Sequence, residues 1–291
     1  MATQKKLPFR PIKEIEESIR KRLSGVKHKV AVMSGKGGVG KSFVTANLAF
    51  ALAFKGYKVG ILDADFYGPS IPKMTGTEGH RVFATDRGII PVVGPLGVKI
   101  VSVDFMLPDD TTPVIWRGPM LSNAMLELLE NVDWGELDYL LIDLPPGTGD
   151  APLTVAQMIP DITGAVIVTI PSEVSQKVVM KSINFAKKLK LPILGIIENM
   201  AGFTCPCDGK TYPIFGSGGG KKIAEEAGVP FLGSVPLDPR ISECNDKGVP
   251  FFVEYPETPA AKAFLSIAEK IVEEIKKIDQ SKSREETSKG S

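Results

Sequence analysis

The chain has 291 residues, 43% hydrophobic and 24% charged, a balance that fits a soluble globular enzyme and gives no sign of a low-complexity chain. The 35 basic and 34 acidic side chains leave a formal charge of +1, so no global field argues for nucleic acid or an anionic membrane as partner. No apolar run is long enough to span a bilayer, and three cysteines are too few for a disulfide scaffold, so the expected compartment is the cytoplasm.

Residues 1–27 read as an N-terminal arm and helix. Their basic clusters at 5–10 and 20–29 are interrupted by Glu14, Glu16 and Glu17 and are expected to be solvated. A single domain is expected over 28–278. It opens with an apolar strand at 30–33 that runs into Gly35-Lys36-Gly37-Gly38-Val39-Gly40-Lys41-Ser42. The pattern G-x-x-x-x-G-K-S between strand and helix is a phosphate cradle, which makes the expected domain a P-loop NTPase. Gly35, Gly37, Gly38 and Gly40 are expected to take backbone angles closed to other residues, so that successive N–H groups turn toward a polyphosphate. Lys41 is expected to reach the β- and γ-phosphates and Ser42 to ligate Mg²⁺. The helix starting at Phe43 places its positive end under the anion. The expected nucleotide-binding run is therefore Gly35 through Phe43, Val39 included.

A second strand, 58–62, ends in Asp63-Ala64-Asp65. Carboxylates one residue apart point to opposite sides. Asp65 is expected to orient the attacking water, and Asp63 to support the Mg²⁺ shell. Turn-rich, β-prone residues 81–106 suggest a hairpin inserted into the α/β core. The strand 139–142 ends in Asp143, placed to hold Mg²⁺ or its waters. The turn Pro145-Pro146-Gly147-Thr148-Gly149-Asp150 comes next as a candidate γ-phosphate switch, with Asp150 open between that role and a helix N-cap. Further strands at 164–170, 193–197 and 231–235 alternate with helices at 43–54, 175–189 and 221–227. This alternation predicts an α/β fold: a mostly parallel sheet with helices on both faces and functional loops at the strands' carboxyl ends.

Cys205-Pro206-Cys207 lies in a polar, glycine-rich stretch at 200–220, expected to be a loop. Two thiols there suggest metal ligation, whereas Cys244, within a helical stretch, reads as packing. A closed zinc or iron–sulfur site takes about four ligands, which a second copy across a two-fold axis would complete. An apolar stripe makes 258–278 a docking helix, and the polar tail 279–291 is expected to be disordered.

The extra lysine, Lys36, makes the phosphate loop resemble the deviant Walker A loop of the MinD, ParA and nitrogenase iron protein group. That resemblance implies that Lys36 contacts nucleotide bound by a facing subunit and joins Lys41 and Asp65 in catalysis. Trp134-Gly135-Glu136-Leu137-Asp138-Tyr139 before Asp143–Asp150 resembles the signature of the Mrp/ApbC family, ATP-dependent iron–sulfur cluster carriers. Trp116-Arg117-Gly118-Pro119-Met120 and the segment from Asp65 to Pro72 resemble it as well. The resemblance implies a slow, Mg²⁺-dependent, homodimeric ATPase. Such a protein shares a cluster, [4Fe-4S] by expectation, between subunits and passes it to apo iron–sulfur proteins. It also implies Asn199 as a base contact, with Pro236 and Asp238 in the loop flanking the base. The family pattern expected at the cysteines is C-x-x-C, whereas this chain has C-x-C with Asp208 next to it. Zinc in place of the cluster therefore stays open, as does a positioning switch of the MinD/ParA type.

Overall fold

The computed structural model describes residues 10–106, 118–205 and 207–289. The chain begins with α1 (Ile12–Arg22), β1 (Val26–Ser34), α2 (Lys41–Phe54), β2 (Val59–Asp63) and α3 (Ile71–Met74). Four short strands come after it: β3 (Phe83–Thr85), β4 (Gly88–Ile90), β5 (Val92–Val93) and β6 (Lys99–Ser102). Alternation resumes with α4 (Gly118–Asn131), β7 (Leu137–Asp143), α5 (Asp150–Met158), β8 (Gly164–Thr169), α6 (Glu173–Lys188) and β9 (Ile193–Thr204). The chain closes with β10 (Thr211–Tyr212), α7 (Gly219–Ala227), β11 (Phe231–Leu237), α8 (Pro239–Lys247), α9 (Phe251–Glu254) and α10 (Pro259–Lys289).

Strands β2 and β8 are buried at every residue, which requires cover on both faces of their sheet. That sheet has nine strands in the order β10-β9-β8-β1-β7-β2-β6-β5, with β11 also paired to β9. Pairing is parallel throughout except for β5 on β6 and β10 on β9. The mostly parallel, two-sided sheet is the one the sequence predicts. From β1 the chain crosses to β2 on one side, while β8 flanks β1 on the other. The carboxyl end of β1 thus sits where the winding reverses, the place where open α/β sheets bind ligands.

One face is covered by α2 and α10, where Leu48, Phe50 and Leu52 share a core with Phe264, Ile267 and Ile271. Helix α2 is buried nearly all round because it lies between sheet and α10. On the other face, Ile19 of α1, Leu128 of α4 and Val155 of α5 share a core with Met33, Leu62 and Leu140. The marginal strands are blunted. Strands β5 and β10 have two residues each, β5 lying between Pro91 and Pro95, and β11 is preceded by Pro230, contains Pro236 and slips register twice.

Three expectations need correction. Strand β1 begins at Val26, so the boundary drawn after residue 27 cuts into the sheet. Within 81–106 only β3 and β4 form a separate hairpin; β6 joins the main sheet parallel to β2. Ile100, Val101 and Ser102 are buried in succession, a pattern that suits a covered strand rather than an exposed insertion. Helix α10 continues past Ile278 to Lys289, where disorder is expected, because no glycine or proline interrupts it before Gly290 and a packed helix propagates readily. Residues 1–9, Trp116-Arg117, Pro206 and the last two residues lie outside the described residues. Among those described, no helix is long and apolar enough to cross a membrane.

Candidate nucleotide site and cysteine hairpin

Strand β1 delivers the phosphate loop to the reversal point of the sheet. Gly38 and Gly40 have φ of +76° and +79°, in the left-handed region where a Cβ is strained. Gly35 and Gly37 do not, so the expected backbone freedom is used at two glycines of the four. Gly35 serves packing instead: a Cβ there would lie 2.4 Å from Val178 Cγ1 of α6. A Cβ at Gly37 would meet nothing within 4 Å.

The start of α2 and the end of β7 form one polar knot. Lys41 Nζ and Ser42 Oγ each donate to Asp143 Oδ2 at 2.6 Å. Thr45 Oγ1 bonds the other oxygen, Oδ1, also at 2.6 Å. The Lys41–Asp143 pair is buried, at 5% and 0% side-chain exposure. Sequence reasoning missed Thr45, although its place one turn after Lys41 puts it on the same helix face. Asp63 is the register partner of Asp143 across β2 and β7. Its carboxylate accepts from Ser102 Oγ at 3.1 Å and from the Asp65 amide at 3.2 Å. Burial, and then the Asp143 carboxylate beside it, push the Asp63 carboxyl upward, with Lys41 opposing. Asp65 is less enclosed and accepts from the Tyr67 amide at 3.3 Å; burial raises its carboxyl, and Lys41 again opposes.

Ser42, Asp63 and Asp143 gather hard oxygen donors of the kind Mg²⁺ takes. Lys41 and the amino end of α2 complement a triphosphate. The residues present therefore fit Mg²⁺ and a nucleoside triphosphate. Lys36 is half-buried on the loop, and its carbonyl accepts from Ser34 Oγ at 3.0 Å. Among the described residues its ammonium meets no carboxylate within ion-pair distance. The turn after β7 is fastened to the loop by Gly147, whose amide donates to the Ser34 carbonyl at 2.8 Å. Gly149, not Asp150, occupies the cap of α5; Asp150 is its first residue, where an acidic side chain favours the helix dipole.

A cavity of about 520 Å³ adjoins the loop, lined by Gly40, Phe43, Asn199, Met200, Phe203, Pro236 and Asp238 among others. Four residues expected at the nucleotide from separate parts of the sequence, Phe43, Asn199, Pro236 and Asp238, thus line one cavity. Asn199 Nδ2 donates to the Val39 carbonyl at 3.0 Å, and a Cβ on Gly40 would sit 2.3 Å from that nitrogen. Asp238 caps α8 by accepting from the Arg240 amide at 3.1 Å, and its carboxylate also takes the Arg240 guanidinium at 2.6 and 2.8 Å. Its carboxylate is committed to the fold. Glu198, unmarked by sequence reasoning, is buried and accepts from the Gly220 amide at 2.7 Å and Ser234 Oγ at 3.0 Å. A lone acid inside an apolar strand was the available signal.

Strand β9 runs to Thr204 rather than stopping at residue 197, so residues 200–204 are strand and not loop. Cys205 and Cys207 sit in the turn between β9 and β10, the first half-buried and the second exposed. The Cys205 amide donates to the Lys210 carbonyl, and the Gly209 amide to the Cys205 carbonyl, both at 2.9 Å. Asp208 accepts from the Lys210 amide and the Tyr212 hydroxyl, which hold its carboxyl below the ordinary range. Among the described residues no group of three or more His, Cys, Asp or Glu is placed to hold a metal ion. Cys244 is buried on α8, where burial raises its thiol, in keeping with packing.

A family model described as NUBPL iron-transfer P-loop NTPase matches residues 25–272. An iron-sulfur cluster carrier protein of Saccharolobus solfataricus is 57% identical over 261 residues, covering 90% of this chain and 88% of that protein. A nucleotide-binding protein from Archaeoglobus fulgidus, solved in complex with ADP and with cobalt found in it, is 46% identical with a TM-score of 0.73. The match covers 81% of this chain and 92% of that one. The cell division ATPase MinD of Pyrococcus furiosus shares the fold at 25% identity and a TM-score of 0.62, over 84% of this chain and 98% of that one.

Proposed function

Given that the chain belongs to the NUBPL iron-transfer P-loop NTPases, we propose that it is a Mg²⁺-dependent ATPase that carries an iron–sulfur cluster between two copies of itself and hands it to apo iron–sulfur proteins. The observation that carries the nucleotide half is the convergence of Lys41, Ser42 and Thr45 on Asp143 beneath the loop. With ATP in the loop, Lys41 exchanges Asp143 for the β- and γ-phosphates. Ser42, with Asp143 and Asp63, is the set that would hold Mg²⁺, whose charge offsets the phosphate oxygens. Asp65 orients the attacking water. Asn199 meets the base, with the main chain at Pro236 and Asp238 flanking it.

The cargo half rests on the cysteine hairpin and on the carrier relative. Cys205 and Cys207 are half-buried and exposed, and they give two sulfurs per chain. A second copy brings the count to the four that a [4Fe-4S] cluster takes. The same pairing would bring Lys36, which among the described residues has no carboxylate partner, to the facing nucleotide, where a second cation assists phosphoryl transfer. Reduced thiols of this kind belong in the cytosol.

The test is anaerobic reconstitution with iron and sulfide, read by absorbance, iron content and molecular mass. The wild type is expected to bind about four irons per pair of chains, the content of one four-thiolate cluster. The Cys205→Ala/Cys207→Ala variant is expected to bind none and to keep its affinity for Mg·ATP. Wild-type protein that retains only zinc, or no metal, overturns the cargo assignment.

A further inference from the structure

Between the residue that touches the phosphate loop and the cysteine pair, β9 is not a regular strand. Asn199 lies opposite Val235, and Phe203 opposite Leu237, so four residue steps on β9 span two on β11. The extra length is taken up by Met200 and Gly202, with φ of +58° and +85°. A left-handed methionine inside a strand is strained, and such strain persists only where its surroundings hold it. Extra residues of this kind bend the strand and re-aim the side chains beyond the bend.

The two ends of the irregular stretch are both fixed. Upstream, Glu198 is tied to the amides at the start of α7, and Asn199 to the Val39 carbonyl. Downstream, Phe203 and Thr204 pair with Tyr212 and Thr211, and the Thr204 and Thr211 hydroxyls meet at 3.1 Å. Cys205 continues that ladder by donating to the Lys210 carbonyl. The cysteine hairpin is thus a braced unit joined to a braced strand through a short bend. The Met200 and Phe203 side chains line the 520 Å³ cavity beside the phosphate loop.

We propose that Met200 and Phe203 are positioning residues through which nucleotide in that cavity sets the pose of the Cys205–Cys207 hairpin. This rests on the assignment of the cavity to nucleotide made above, though not on the identity of the cargo. A base seated against Met200 and Phe203 favours one arrangement of the bend, and the braced hairpin moves with it. Because coupling free energies are reciprocal, occupancy of the cysteines changes nucleotide affinity by the same factor.

The test uses metal-free, reduced full-length protein and the alkylation rates of Cys205 and Cys207 with iodoacetamide, read by peptide mass spectrometry. Buried Cys244 serves as the internal reference. Rates are measured with and without saturating Mg²⁺ and a non-hydrolysable ATP analogue. In the wild type the nucleotide is expected to change the Cys205 or Cys207 rate by at least about fivefold, the low end of ordinary coupling between sites. Met200→Gly removes both the side chain and the backbone restraint, and it is expected to shrink that ratio to below about twofold. Its nucleotide affinity is measured by calorimetry, so that thiol rates in variant and wild type are compared at full occupancy of the cavity. Met200→Asn, which tolerates the left-handed backbone, is expected to lose the ratio too and covers the case in which the glycine variant fails to fold. A wild-type protein that binds the analogue without a change in thiol rate overturns the proposal, as do equal nucleotide effects in wild type and variants. Iron reconstitution on the same wild-type sample decides the carrier assignment separately.

Discussion

At the level of single residues, the phosphate loop separates two reasons for glycine that look alike in a motif. Gly38 and Gly40 answer to backbone angle, Gly35 to the approach of α6, and Gly37 to neither. Gly35→Ala is therefore expected to destabilise the protein by about 1–3 kcal/mol through overpacking against Val178, whereas Gly37→Ala stays near wild type. Urea denaturation of the two variants checks this, and equal losses would contradict it. The loop's place between strand and helix was legible because its spacing is chemically constrained. The division of labour among its glycines was not, because Val178 is far along the chain and contact at that range leaves no local pattern. Thr45 and Glu198 went unread for different reasons. Thr45 looks like an ordinary helix residue, and the donors that satisfy Glu198 lie on α7 and β11.

Among the elements, α2 and α10 illustrate how the phosphate loop borrows rigidity from remote sequence. Phe264 of α10 is fully buried and meets Phe43, the third residue of α2, edge-on with ring centroids 5.4 Å apart. Phe264→Ala is expected to cost about 3–5 kcal/mol and to weaken nucleotide binding by loosening the start of α2. Thermal melting together with ATP-analogue titration reads both effects, and unchanged binding in a folded variant would separate α10 from the site. The docking helix was legible from its apolar stripe, and β1, β2, β7, β8, β9 and β11 from their apolar runs. The ends of elements were less so: β9 outruns its apolar stretch because its last residues are held by β10 and β11, not by their own hydrophobicity. The role of β6 was hidden for a similar reason, since its parallel partner β2 lies some 40 residues earlier and only the fold brings them together.

For the molecule as a whole, the proposed pairing of two copies predicts concentration-dependent chemistry. ATP turnover per chain is expected to rise with protein concentration as pairs form. Lys36→Ala is expected to lower it by about 1000-fold or more, the scale of a cation supplied in trans, with ATP-analogue binding to the single chain little changed. Turnover that is independent of concentration, or unaffected in the variant, would remove the second copy from the mechanism. The parallel two-sided architecture was readable from the sequence because its βα alternation is spread over the whole chain. How two copies would meet was inferable only from groups such as Lys36 and the cysteine pair, whose chemistry one copy leaves incomplete.

The blunted sheet margins bear on that encounter. With prolines interrupting the donor ladder at β11 and bracketing β5, and with β10 only two residues long, neither rim offers a continuous template among the described residues on which another chain could extend the sheet. Open-ended stacking of protomers into fibres is thereby discouraged, and the proposed pairing at the loop-bearing end, being two-fold, would close on itself and stop at two. For the proposed carrier, which would offer its exposed cysteine to clients, such margins let chains associate and part repeatedly without seeding aggregates.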